Sequence, residues 1–300
     1  MDDYYKMLDE AGRVSASALT MAKKITRPGA RLLDIAEGLE DYIKQQGCEC
    51  TFPVNISVNS DAAHYTPTFN DGAVVREGDV VKVDLGARKR DAITDSAVTM
   101  CFSDAHHKMV EACDSALEAA LSVAKAGRQV CDIGMAVEKV VKEAGYKPVE
   151  NLGGHGLAAG ELHADVFIPN FDNGDKTELE EGQTVAVEVF ITDGKGLVRD
   201  GDFLQIFQRI SEAKPRSNDF RQISDFISSS YGTYPFAVRW LVKQFNSEFR
   251  VKATLSELYR LGALESFPVL VEEEGGIVVQ SEVTAVVEGD SCRVVTRRDV

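Results

Sequence analysis

From residue 2 to 25, apolar side chains recur at helical spacing (Tyr5, Leu8, Ala11, Val14, Ala18, Met21), which predicts an amphipathic helix. Arg27-Pro28-Gly29-Ala30 breaks it, and a second helix is expected over 31–46, ending at Gly47. Strand-like segments follow at 52–59, 79–86 and 92–102, with Arg76-Glu77-Gly78-Asp79 turning into VVKVDLG. The pattern then returns. Helices are expected over 104–125 and 131–145, broken by Ala126-Gly127-Arg128, and strands over 164–168 and 183–191. Glu180-Glu181-Gly182-Gln183 leads into TVAVEVF as Glu77-Gly78-Asp79 leads into VVKVDLG. Two successive units with one order of elements predict two related halves around a shared sheet, with helices on one face.

Residues 205–267 break this rhythm. Helical spacing returns over 219–229, 235–246 and 251–262, with Pro235 placed to open the second of these helices. Strands resume over 269–272, 276–287 and 292–296. The stretch reads as an inserted helical subdomain that separates the last strands in sequence without removing them from the sheet.

Composition narrows the function classes. A formal charge of −15 over 300 residues argues against a nucleic-acid-binding surface, which needs a basic face. The six cysteines form no C-x-x-C pair, and the N-terminus is charged, without the apolar stretch of a secretory signal. No apolar run reaches the length of a membrane span. A cytoplasmic protein with reduced thiols is the expectation.

Five side chains of metal-binding type lie far apart on strand-like segments: Asp84, Asp95, His155, Glu188 and Glu282. Four carboxylates and one imidazole form an oxygen-rich set, suited to two divalent cations side by side. A hairpin centred between residues 89 and 90 would set Asp84 directly opposite Asp95, where like charges are unfavourable without a cation between them. His155 sits among three glycines that let the backbone approach a site closely; a surface loop is the alternative. Glu188 lies in an otherwise apolar strand, where a buried carboxylate needs a partner. Glu282 shares a face with Gln280 and Thr284. For each carboxylate, an outward-facing strand position is the competing reading. His64 and His163 could donate hydrogen bonds to a substrate carbonyl or developing oxyanion, whereas His106 and His107 read as solvent residues at a helix start.

The strings AAHYTP, VKVDLG, NLGGHG, VEVF followed by GKG, and QSEVT resemble the methionine aminopeptidases. The insertion, including Phe236-Ala237-Val238-Arg239-Trp240-Leu241, is similar to that of the type 2 enzymes, and the short N-terminal region looks archaeal. The resemblance implies an α+β pita-bread fold: two pseudo-symmetric halves, a central antiparallel sheet covered by helices, and a winged-helix-like insertion at 205–267 in a single catalytic domain over 1–300. It implies two divalent metal ions (Co, Mn, Fe or Zn). Asp84 would hold one, His155 and Glu188 the other, and Asp95 and Glu282 would bridge them.

It also implies release of the initiator methionine from nascent chains whose second residue is small, with Glu188 as general base and then acid. His64 would lie beside the scissile carbonyl, matching the histidine that fumagillin-type inhibitors alkylate, and would stabilise the oxyanion. His163 would contact the substrate backbone, and Phe52, Leu162 and Phe190 would line the methionine pocket. Two positions depart from the type 2 pattern: Ile206 stands where a further pocket histidine is common, and Phe267 where a tyrosine is usual. Nascent N-termini are the expected partners. The ribosome is a candidate docking partner through Arg76, Arg88, Lys89 and Arg90, with no direct nucleic-acid or membrane binding expected. The prolidases resemble the same fold and ligand set, but usually carry an added N-terminal domain.

Overall fold

The repeat of elements is written into the backbone hydrogen bonds. The computed structural model describes residues 2–213, 215 and 217–297. Helix α1 (Asp2–Ile25) leads to α2 (Leu32–Gln45), and later α3 (His107–Val123) leads to α4 (Val130–Glu143). Gly29 N–H donates to Val75 O after the first helix, and Gly127 N–H to Leu179 O after the third. Gly78 and Gly182 then turn the chain into matching strands at φ of 86° and 85°, a conformation that L side chains resist. Phe102 N–H closes onto Asp79 O, and Val287 N–H onto Gln183 O, each at 2.8 Å.

In the first half, Asn55–Val58, Val80–Leu85 and Ser96–Cys101 form an antiparallel sheet with Val80–Leu85 in the middle. In the second, Thr184–Thr192 lies between Gly153–Ala158 and Val278–Val287 in a six-stranded sheet. Alternation then sorts the side chains. Val81, Val83 and Leu85 pack with Leu19, Ile35, Leu39 and Ile43 of α1 and α2. Val185, Val187, Val189 and Ile191 pack with Met109, Leu117, Ile133 and Val137 of α3 and α4. The intervening residues, Asp84 in one sheet and Ala186, Glu188 and Phe190 in the other, are left for the opposite face.

The shared sheet expected from the sequence is formed by two antiparallel sheets whose adjoining strands are fastened through side chains. Thr99 Oγ1 donates to Gln280 O at 2.7 Å and accepts from Gln280 N–H at 3.1 Å, pinning Ser96–Cys101 against Val278–Val287.

Three helices, α5 (Asn218–Ser230), α6 (Val238–Phe245) and α7 (Glu248–Arg260), build a separate core from Ile223, Ile227, Phe236, Leu241, Val251, Leu255 and Leu258. They occupy only the middle of 205–267, and residues 214 and 216 lie outside the described ones. The ends of that stretch are strand: Val198–Arg209 pairs antiparallel with Leu264–Glu272. The first of these escapes sequence reading because VRDGDFLQIFQR does not alternate, and its ladder shifts register between Asp200 and Ile206. Pro235 does not open α6, since Phe236 and Ala237 first pair with Phe207 and Ile206.

Candidate metal centre

The hairpin carrying the two aspartates is centred one residue later than the spacing suggested. Asp84 faces Ala97, and Asp95 falls in a break between Ala92–Ile93 and Ser96–Cys101. A change of pairing by two residues keeps the same face, so both carboxylates still point into one space. Thr284 holds the break in place: its hydroxyl accepts from Asp95 N–H at 2.8 Å and donates to Asp95 O at 2.7 Å. Glu188 and Glu282 are direct cross-strand partners. His155 pairs with Ala186 on the neighbouring strand. This close approach depends on the preceding glycine, because a Cβ at Gly154 would sit 2.4 Å from Ala186 O.

The five residues therefore converge. Ligand atoms of Asp95, His155 and Glu282 lie within 4.8 Å of one another, and all three residues are buried. His155 Nε2 is 3.5 Å from Asp95 Oδ2 and 3.8 Å from Glu188 Oε1. Its Nδ1 lies 3.1 Å from Gly156 O. A carbonyl can only accept, so Nδ1 carries the proton and Nε2 turns its lone pair into the space that the carboxylates surround, the tautomer a metal ligand needs. Gln280 Nε2 donates to Glu188 Oε2 at 3.3 Å and to Glu282 Oε2 at 3.2 Å. Gln280 was legible only as a residue sharing the face of Glu282. Asn55, opposite Asp84 on the next strand, also lines the site and carried no chemical signal in the sequence.

The electrostatics ask for cations. Burial, then the charge of Asp95, pushes Asp84 well above the usual carboxylate range, and burial lifts Asp95 to about 7. Burial and the neighbouring carboxylates also raise Glu188 and Glu282, while burial keeps His155 neutral by lowering its pKa. Oδ1 of Asp84 and Oδ1 of Asp95 are buried without a hydrogen-bond partner. Orphaned acceptors inside a dense carboxylate group fit hard divalent cations.

Above this floor opens a cavity of about 500 Å³ lined by Asp84, Asp95, His155 and Glu188, and by Phe52, His64, Leu162, His163, Phe190, Ile206 and Phe267. Ile206 and Phe267, the two departures from the type 2 pattern, face each other across the ladder as one wall. The His163 ring centroid lies 4.5 Å from that of His155, and the His64 centroid 5.7 Å from that of Phe267. Burial drives both pocket histidines down to about 4. His64 Nδ1 is 3.2 Å from Pro268 O and must donate to it. In its neutral form the ring's Nε2 is then an acceptor, which reverses the donating role read from the sequence.

Residues 6–207 match the family described as metallopeptidase family M24. A methionine aminopeptidase from Saccharolobus solfataricus is 38% identical over 298 residues, covering 99% of this chain and 98% of its own. One from Pyrococcus horikoshii is 40% identical over 290 residues, covering 96% and 98%. The chain belongs to the methionine aminopeptidases of family M24.

Membership makes it an aminopeptidase and a hydrolase that works with divalent metal ions. Among solved structures, a methionine aminopeptidase from Thermotoga maritima superposes with a TM-score of 0.73 at 20% identity, covering 99% of this chain and 98% of its own. A thermophilic Arx1 superposes with a TM-score of 0.86 at 18% identity, covering 100% and 92%. These likenesses establish the pita-bread fold.

Outside the cavity, His106 is no free solvent residue: its Nδ1 lies 2.9 Å from Ser103 Oγ, and its Nε2 is 3.5 Å from Asp193 Oδ2. All six cysteines are free thiols. Among the described residues, no helix is long and apolar enough to cross a membrane.

Proposed function

We propose that Asp84, Asp95, His155, Glu188 and Glu282 hold two divalent cations, and that the cavity above them hydrolyses the peptide bond after an amino-terminal methionine. The observation that carries this reading is the convergence of the four carboxylates with His155 Nε2 at the floor of an apolar cavity. Four negative charges beside a neutral imidazole balance two dications. The donor set suits Mn, Fe, Co or Zn. Bound there, the cations would polarise the scissile carbonyl and lower the pKa of the attacking water.

The chain's own groups do the rest. Glu188 takes a proton from the attacking water on a carboxylate oxygen and returns it to the leaving amine. His64 Nε2 accepts the N–H of the scissile amide, and His163 steadies the substrate backbone. Phe52, Leu162, Phe190, Ile206 and Phe267 enclose the flexible thioether. A small second residue is selected sterically at the cavity mouth, on initiator methionines of nascent chains in the cytoplasm.

Hydrolysis of Met-Ala-Ser, measured beside Mn²⁺ titration calorimetry, tests the centre. Asp95→Ala and Glu188→Ala should lose metal-dependent methionine release by at least about a thousandfold. Full activity in either variant would sink the assignment, and faster cleavage of X-Pro substrates than of Met-Ala-Ser would move it to the prolidases.

For ribosome docking, Arg88 and Lys89 are already engaged. Arg88 Nε donates to Cys50 O and its guanidinium lies over the Tyr234 ring, while Lys89 Nζ donates to Gly47 O. Arg76 and Arg90 are the better contacts. Co-sedimentation with ribosomes should weaken in Arg76→Ser/Arg90→Ser; unchanged sedimentation removes this surface.

A further inference from the structure

Arg239 is almost fully buried, at 1% exposure, yet it lies in the helical insertion and reaches away from it. Its guanidinium pairs with Glu40 on α2, itself 3% exposed. Glu40 is further held by Trp240 Nε1–H at 2.8 Å, and its Oε1 accepts Val54 N–H at 3.2 Å. The other arm of Arg239 donates to Thr66 Oγ1 and to Pro67 O, the latter at 3.2 Å. Thr66 Oγ1 in turn donates to Val54 O at 2.8 Å.

Both ends of this network adjoin, along the chain, residues that line the cavity. Val54 lies between Phe52 and Asn55, which line it, and Thr66 follows His64 closely in the loop. His64 is held at φ 65°, a left-handed conformation costly for a residue with a side chain. Such a conformation persists only where the surroundings over-determine it. Tyr65 stacking on Phe203 at 4.8 Å and Ile56 N–H on Tyr65 O at 2.6 Å supply part of that constraint, and Arg239 supplies the anchor on the far side.

We propose that Arg239 is a positioning residue for the peptidase reaction, fixing through Glu40 and Thr66 the two loops that carry Phe52, Asn55 and His64 to the substrate. The insertion thereby becomes part of the machinery that shapes the pocket. This rests on His64 acting on the substrate, as proposed above.

A bond that merely fastens the insertion predicts different behaviour from one that aims His64. Replacing both charges together, Glu40→Leu/Arg239→Met, refills the site with apolar groups and avoids leaving a lone buried charge. Thr66→Val removes only the hydroxyl relay, and Thr66→Ser restores it. With Mn²⁺-loaded protein and Met-Ala-Ser, the double variant and Thr66→Val should lose at least tenfold in kcat. Thr66→Ser should keep the wild-type rate, and Thr66→Val should keep its Mn²⁺ affinity while melting a few degrees lower, since it loses the buried hydroxyl's bonds to Val54 O and from Arg239. In metal-free protein, the His64 ring resonance, assigned by its loss in His64→Gln, should move in Thr66→Val and return in Thr66→Ser.

If the double variant fails to fold, Thr66→Val decides alone. Wild-type kcat in a folded Thr66→Val overturns the proposal. Should His64→Gln itself turn over at the wild-type rate, the role of His64 falls instead. The ring resonance then decides the positioning: a shift in Thr66→Val supports it, and an unmoved ring overturns it.

Discussion

In the first half of the molecule Asp84 faces Ala97 across its ladder; in the second, Glu188 faces Glu282. The two pairs are equivalent. Each acid follows its glycine turn by the same number of residues, and each partner precedes the closing contact, Phe102 with Asp79 or Val287 with Gln183, by the same number. At the position matching Asp95, the second half carries Gln280. One frame, used twice, thus holds different chemistry. The first half spaces its acids across a strand break, and the second sets them face to face and adds His155. Where a further acid would overload the cluster, it places an amide that donates to both glutamates. The duplicated backbone fixes where ligands can stand, and the asymmetry decides how many charges stand there.

The largest expected effect comes from equivalent isosteric changes in the two halves. Glu188→Gln keeps a ligand oxygen but loses the proton acceptor, so kcat should fall by about 10³-fold at saturating Mn²⁺. Asp84→Asn should weaken Mn²⁺ binding and recover most of its activity when Mn²⁺ is raised. Equal recovery in both variants would mean that the two positions do the same work and that the asymmetry has no catalytic content.

A smaller effect follows from giving the second half the acid that the first already has. Gln280 is 1% exposed. In metal-free protein, Gln280→Glu removes its two donated hydrogen bonds and adds a buried carboxylate, at a cost of about 2 kcal/mol. Melting should drop by roughly 3 °C without metal, and by less with saturating Mn²⁺. An unchanged melt in metal-free protein would show that the amide does not relieve the carboxylates.

The same comparison explains what could be read from the chain. The halves were legible because glycine turns and alternating valines repeat in order. The four candidate carboxylates stood out because acids in strand-like segments demand partners, and His155 because three glycines surround it. The exact pairing of Asp84 was not, since the break at Asp95 is set by Thr284, whose hydroxyl reaches it from a strand at the far end of the sequence. The work of Gln280 was hidden as well: an amide on a strand face signals nothing until two acids are seen beside it. The tautomer of His64 depends on Pro268 O, a backbone atom that no side-chain pattern announces. Val198–Arg209 was missed because a strand with shifting register has no period to detect.

The smallest effect concerns the two pocket histidines, His64 contributed by the first half and His163 by the second. Burial lowers both from 6.5 to about 4. A histidine held neutral in the folded state binds fewer protons there than when unfolded, so stability rises with pH wherever the unfolded ring is protonated. Its contribution is complete above about pH 6.5 and is lost as pH falls toward about 4. One such site changes stability by at most about 1.4 kcal/mol per pH unit, and solvent screening reduces that for both rings, more for the exposed His163 than for the half-buried His64. The buried carboxylates act in the opposite direction over the same range, so the comparison must be differential. Melting of wild type against His64→Gln, and separately against His163→Gln, between pH 4.5 and 7 should show each variant gaining relative to wild type as pH falls. If His64 is the more tightly held ring, its Nδ1–H fixed on Pro268 O, His64→Gln should flatten the acid limb more than His163→Gln. The reverse order would place the stronger constraint in the second half, beside His155.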